Sequence, residues 1–582
     1  MVNCDKGKKN MSYFYSYDNL NKILKTQRGQ KFIKNIELIN QNEFESKPIF
    51  SLSYSKFKLI HTTGNRSLFE NEYFDRRRRL CFLQMLSVYD DKYIEPLEDI
   101  LAAICEEYTW VLPAHCARES NSFDYSEIDL NSAETAFYLS ETIYVLNEKL
   151  SSDIKKRVKI CLQEKIVKLF ESRKFVFDDL ENNWCAVCGA GVGITYLYAF
   201  PERFDFVKDR IFGLMQKYLK GQGEDGFCYE GVTYWQYGFA FFCFFFDVYT
   251  KVTGDYPDIL NDKKVLGTIN FITDAHLGGN KYLPYGDGGV DVFVPNIEMM
   301  CAVKSLFGDK FIEPNCEAED FLKLALKPNR KGVGFRVISA IESLDKNRWK
   351  PAQEKTKYFE SAEVFVYKNK NYAFTAQCGN NGYSHSHNDV GCFVIIKDDK
   401  RLIADLGAGL YTYEYFNDYE KRYGKEIFVC GSWSHSVPIV DGCPQKEEKE
   451  YYGKVLEVSD KNFKIDIAKA YNTPIKNLIV EYKINMDGVD VIYEYDDKVE
   501  HQITYRFVSD YKPQIKDGII NIEEVQIKCN KKIKFVIEAV NYKNRVGEDK
   551  FAYTIDFIAD RKIKEKICFN FLVGEKRKNK NV

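Results

Sequence analysis

The sequence predicts an α+β multidomain chain, a helical array or toroid followed by an antiparallel β-sandwich. Three observations carry that reading. Apolar residues recur at helical spacing from Asp75 to about Leu326. After about Arg330 the period drops to two, as in Leu478, Val480, Tyr482, Ile484 and Met486. Asp487-Gly488 then separates that run from Val489, Val491, Tyr493 and Tyr495, which is a hairpin signal. A chain of 582 residues also exceeds one ordinary core.

Taken in order, residues 1–75 form an N-terminal extension whose Phe, Tyr and Ile residues pack on the helical domain. Residues 76–330 form that helical domain. Leu80, Leu83, Leu86 and Val88 mark one helix, and the run after Ser132 marks a second. Val158, Ile160, Leu162, Ile166 and Leu169 mark a third. Further helices run over 192–200, 207–219, 234–252 and 265–275, with short connections. Residues 331–582 form the β domain, with strands in the 478–495 hairpin, at 535–540 and at 551–558. Glu575 to Lys580 is a solvated, frayed end.

Bulk properties exclude several classes. A hydrophobic share of 45% with 29% charged residues fits a globular protein. A net charge of −2 argues against a globally basic nucleic-acid binder, while leaving room for an anionic substrate in a basic cleft. The basic start, Met1 to Asn10, is followed by no apolar segment, so no secretory signal is expected, and the most apolar run, Phe239 to Phe246, is too short to span a bilayer. Seventeen irregularly spaced Cys suit free thiols, and the expected location is cytoplasmic. Aromatics make up 15%; they fill cores and also suit sugar-binding clefts.

The chemistry concentrates at Asn381-Gly382-Tyr383-Ser384-His385-Ser386-His387-Asn388-Asp389, which holds two of only seven His. If this stretch runs into the strand Val390–Ile396, His385 and His387 share one face. Asp405 and His435 lie downstream. In the helical half, His115, the segment 128–135, Asn182-Asn183, and Glu230 with Tyr234, Trp235 and Tyr237 sit at expected helix starts. Each has a plain alternative: the Asn pair as helix cap, the aromatics as core, His115 and His276 as hydrogen-bonded wall or core residues. Cys185-Ala186-Val187-Cys188 lacks both a βαβ setting and a second Cys pair, so no redox or zinc role is expected there. Arg76-Arg77-Arg78-Arg79 would spread over several faces of one helix rather than form a sulfate patch.

In order, these segments resemble the heparinase II/III-like polysaccharide lyases: Trp110 to His115, Ile128 to Ala136, Asn182 to Gly193, Glu230 to Tyr237, Tyr383 to Asp389, Asp405, and Trp433 to Pro438. The resemblance covers most of the chain. It implies an incomplete (α/α) toroid before the β-sandwich, and β-elimination on an anionic, uronate-containing oligo- or polysaccharide. It implies Asn183 (fallback Asn182) as the residue neutralising the uronate carboxylate. Tyr237 (fallback Tyr234) is then the catalytic Tyr and His385 the catalytic His, with His115, Glu230 and Trp235 as substrate contacts. It implies His387, Asp405 and His435 as ligands of a structural zinc, and no organic cofactor. Two other readings stand beside it. A toroidal glycoside hydrolase would draw a carboxylate pair from Glu134, Glu224, Asp225 and Glu230; a non-catalytic saccharide-binding protein would keep only the fold.

Overall fold

The computed structural model describes residues 15–116, 118–119, 122–123, 125–289, 293, 295–312, 333–341 and 354–574. The expected domain boundary at 330/331, the start Met1 to Asn10 and the tail Glu575 to Lys580 lie outside the described residues.

The helical half is the expected incomplete (α/α) toroid. Its central helices, Leu130–Val145 and Asn183–Ala199, are buried on nearly every face. Tyr17–Lys25 and Gln27–Asn40, the first of the described helices, share one core with Ser67–Tyr89. Leu130–Val145 is launched by a reciprocal cap, in which Ser132 N–H donates to Asp129 Oδ1 (2.7 Å) and Asp129 N–H donates to Ser132 Oγ (2.8 Å). Asn183–Ala199 packs against that helix at Gly191, where an added Cβ would lie 2.5 Å from the Ala133 carbonyl oxygen. Val232–Thr253 carries the phenylalanine run Phe239 to Phe246 into the core.

The four arginines at 76–79 do spread around one helix. Arg76 and Arg77 both pair with Glu107 (2.9 and 2.6 Å), Arg78 pairs with Glu43, and Arg79 donates to the Lys47 carbonyl. A further fully buried pair, Arg336 with Glu141 (2.9 Å), ties Gly334–Ala340 to Leu130–Val145.

The β half holds three large antiparallel sheets. The first has the order Lys400–Ile403, Phe393–Lys397, Ala373–Gln377, Val364–Lys368, Lys355–Phe359. The eight-stranded sheet contains the expected hairpin, Ile479–Asn485 with Gly488–His501. Asn485 pairs with Gly488, so the two turn residues are Met486 and Asp487, one position earlier than expected. Gly488 opens the return strand, where a Cβ would sit 1.9 Å from the Phe571 carbonyl oxygen. The third sheet pairs Lys534–Lys543 with Asp549–Ile558, and the latter with Ile503–Ser509. Phe365, Phe374, Phe393, Tyr482, Phe507 and Phe571 fill the space between the sheets.

One local expectation is corrected. Residues 383–389 form turns, and the strand begins only at Phe393. His385 has φ 61°, outside the range of regular strand. All fifteen described cysteines are free thiols, and no single described helix is long and apolar enough to cross a membrane.

Candidate functional site

Between the two halves lies a cavity of about 860 Å³. Its helical wall is built by helix starts. Asn182 is the N-cap of Asn183–Ala199, its side chain accepting from Trp184 N–H at 3.1 Å, and Asn183 is the first helical residue. Both line the cavity. Glu230, Tyr234 and Tyr237 line it from the start of Val232–Thr253, where a three-residue step puts the two tyrosines on one face. His115 lines it as well; its Nδ1–H donates to Asp129 Oδ2 (2.8 Å) and its ring meets Trp184 edge-on at 4.9 Å. The cap residue Asp129 therefore both starts a helix and aims His115.

The β half contributes His385 to the same cavity. Its ring stacks on Tyr234, centroids 4.4 Å apart, and its Nε2 lies 3.8 Å from Glu230 Oε1. Tyr234 is also 2.8 Å from the Tyr411 hydroxyl. Tyr237 donates to Glu134 Oε1, and Tyr138 donates to the other oxygen at 2.8 Å. Burial first, and then the Glu134 charge, hold the Tyr237 phenol well above its usual range, so it stays protonated. Burial likewise raises the Glu230 carboxyl, against the opposing pull of His385.

Trp235 does not belong here. It is fully buried and its Nε1–H donates to the Thr268 carbonyl at 2.9 Å. One residue along a helix turns about 100° away from Tyr234, so Trp235 faces the core and the expected substrate contact is withdrawn. Of the carboxylates considered for a hydrolase, Glu230 lines the cavity, whereas Asp225 is tied to Ser361 and Glu224 pairs with Lys264.

His387, Asp405 and His435 do come together, each fully buried, with one ligand atom apiece inside a 4.8 Å span. His435 Nδ1 lies 3.3 Å from Asp405 Oδ2. The outward-facing atoms are each held: His387 Nε2 by Asp287 Oδ1 (3.0 Å), His435 Nε2 by the Val429 carbonyl (3.1 Å), Asp405 Oδ1 by Gly407 N–H (2.9 Å). The inward atoms His387 Nδ1 and Asp405 Oδ2 have no hydrogen-bond partner, and neither has Asp389 Oδ2, 3.9 Å from His435 Nδ1. Buried polar atoms left unpaired around one point, with their far sides anchored, fit a cation held by two imidazoles and a carboxylate, a donor set that zinc takes readily. A second grouping, Asp287 with His387 and Cys430, fits less well. The Asp287 oxygens already accept from His385, Tyr411, Tyr415 and Arg422.

Sequence reading missed two residues that organise this site. Glu134 entered only as a hydrolase candidate, although it is the acceptor for Tyr237. Asp287 was not singled out at all; its signal is the turn Gly286-Asp287-Gly288-Gly289, where Gly286 (φ 65°) would put a Cβ 2.6 Å from the His385 carbonyl oxygen.

No protein-family model matches the chain, and no curated protein does. Solved structures do match in fold. Against a crystal structure of heparinase III the chain is 11% identical with a TM-score of 0.60, covering 97% of this chain and 93% of that one. Against the chondroitin AC lyase of Streptomyces coelicolor A3 in complex with chondroitin sulphate the values are 10%, 0.60, 96% and 83%. For the heparan sulfate lyase HepC of Pedobacter heparinus they are 10%, 0.54, 96% and 89%. At such identities the likeness is one of fold, and it extends over both halves.

Proposed function

We propose that this chain is a lyase that cleaves a uronate-containing, anionic oligo- or polysaccharide by β-elimination. The observation that carries the reading is convergence: Asn183 and Tyr237 from two helices, and His385 from the β half, line one cavity. Solved lyases of heparan and chondroitin sulfate share the fold around it.

The reaction must remove the C5 proton beside a carboxylate. The carboxylate charge opposes the carbanion that forms. A neutral amide donor lowers that barrier by sharing the charge of the enolate-like intermediate, and Asn183, which lines the cavity, is the residue we assign to it. His385 Nε2, the ring nitrogen not bonded to Asp287, takes the C5 proton. The C5–H electron pair becomes the C4–C5 double bond, and the C4–O4 bond breaks. Tyr237, held as the neutral phenol, protonates O4 and regains a proton from solvent, to which His385 gives up the proton taken from C5. Asn182 serves as the helix cap, and Tyr234 as the surface on which the His385 ring rests. His387, Asp405 and His435 would hold zinc, which supplies rigidity to the 383–389 turns when bound. We place the action on oligosaccharides inside the cell, in keeping with the free thiols.

The test is ultraviolet absorbance during incubation with a panel of uronate oligosaccharides, for the wild type and Tyr237→Phe. The expected result is a rising unsaturated-uronate signal, reduced about 100-fold or more in the variant, as for loss of a general acid. New reducing ends without a double bond would show hydrolysis instead. A variant as active as the wild type would remove Tyr237 from the chemistry.

A further inference from the structure

Asp287 gathers five side-chain donors on one carboxylate, and no step described above gives it a role. It is fully buried and sits on a turn of the helical half, about a hundred residues before the histidines. Its Oδ2 accepts from His385 Nδ1–H (2.9 Å), Tyr411 (3.0 Å) and Arg422 (3.4 Å). Its Oδ1 accepts from His387 Nε2–H (3.0 Å) and from Tyr415. Its backbone N–H donates to the His385 carbonyl at 2.9 Å, and Arg545 donates to its carbonyl at 3.3 Å.

We infer that Asp287 is a positioning residue that sets the tautomer of His385 and joins that imidazole to the metal site through His387. The argument is one of proton placement. A carboxylate oxygen accepts and does not donate, so each imidazole nitrogen facing Asp287 must carry hydrogen. For His385 that is Nδ1, which leaves the Nε2 lone pair facing Glu230 and the cavity. For His387 it is Nε2, which leaves the Nδ1 lone pair at the point shared with Asp405 and His435. One carboxylate thus makes one imidazole a base and the other a ligand. A metal on His387 Nδ1 would fix the Nε2–H tautomer from the far side and tighten the same chain of bonds. Swinging either ring costs Asp287 a bond that nothing in its dry surroundings replaces.

The inference rests on His385 being the base, but its test does not need turnover. Histidine labelled with 15N is read by NMR at alkaline pH, where imidazoles are neutral. In the wild type His385 should show a protonated Nδ1 and a bare Nε2. In Asp287→Asn, which offers one carbonyl and an amide donor in place of two acceptors, that signature should give way to a mixture. Zinc affinity, measured against a chromophoric chelator, should fall about 10-fold or more, and kcat should fall 10–100-fold with KM within about twofold. Asp287→Glu should recover part of both. A wild-type His385 carrying its hydrogen on Nε2 overturns the assignment even if the variants do not fold. So does an Asp287→Asn protein that keeps both tautomer and zinc affinity. Correct tautomers and zinc binding without cleavage of any uronate would instead count against the lyase reading alone.

Discussion

Acid should loosen the seam between the two halves through one residue, His276. It lies in the short strand His276–Gly278, 3% exposed, with Nε2 2.9 Å from the Gly279 carbonyl oxygen. Lys368 of the β half donates to its carbonyl at 2.7 Å, so it marks the contact between the halves. Burial, with the Lys368 charge adding to it, pushes the imidazole from its usual 6.5 down to about 4. That depression sets the sign. Between those values the unfolded chain binds a proton that the folded chain refuses, so the stability is present above pH 6.5 and is lost as pH falls toward about 4. A gap of about 2.5 pH units is worth about 3 kcal/mol at roughly 1.4 kcal/mol per unit. His276→Gln keeps a donor for Gly279 and removes the titration. Urea unfolding of both proteins, repeated from pH 8 to pH 4, should show the wild type losing about 3 kcal/mol more than the variant. Carboxylates titrate alike in both and cancel. Parallel pH profiles, or a variant that loses more, would refute the reasoning.

Chelation should lower the melting temperature and zinc restore it, by about 2.7 kcal/mol of stabilisation at a hundredfold excess over Kd; His435→Ala should abolish the response, and an unresponsive wild type would discard the metal site. Trp235→Phe strips the donor from the Thr268 carbonyl, so it should cost about 1–3 kcal/mol in thermal unfolding and leave KM unchanged; a raised KM at full stability would return Trp235 to the cleft. Asn182→Ala should lose about 1 kcal/mol of stability as a missing cap and keep most of its kcat. Asn183→Ala should lose about 100-fold in kcat, and the reverse pattern would swap their roles.

What the sequence disclosed and what it withheld divide along a physical line. The change of period from helical to alternating is local, so both halves and the hairpin at 479–501 were legible. The gathering of His387, Asp405 and His435 was legible through resemblance alone, since nothing local brings residues 18 and 30 positions apart to one point. The turns at 383–389 were misread because an apolar run beside them looks like a strand. What bends them is distant: the His385 carbonyl accepts from Asp287 N–H, and Gly286 leaves room for it. Trp235 is a different failure. The spacing of Tyr234 and Tyr237 already puts Trp235 on another face of the helix, whereas its place at a helix start pointed to the cleft. Glu134 and Asp287 were silent because their meaning depends on partners about a hundred residues away.

The turn that carries Asp287 also bears on how such a chain can be recombined. It belongs by sequence to the helical half, yet Tyr285 donates to Thr375 of the β half (3.0 Å), and Asp287 holds the loop of the histidines. A chimera cut between the halves would pair a foreign β half with a turn shaped for another partner. A graft of the β half that is to keep its histidine loop must therefore carry the 284–289 turn with it. A graft that carries this turn with the β half should keep the Asp287 bonds to both histidines, and one that leaves it behind should lose them.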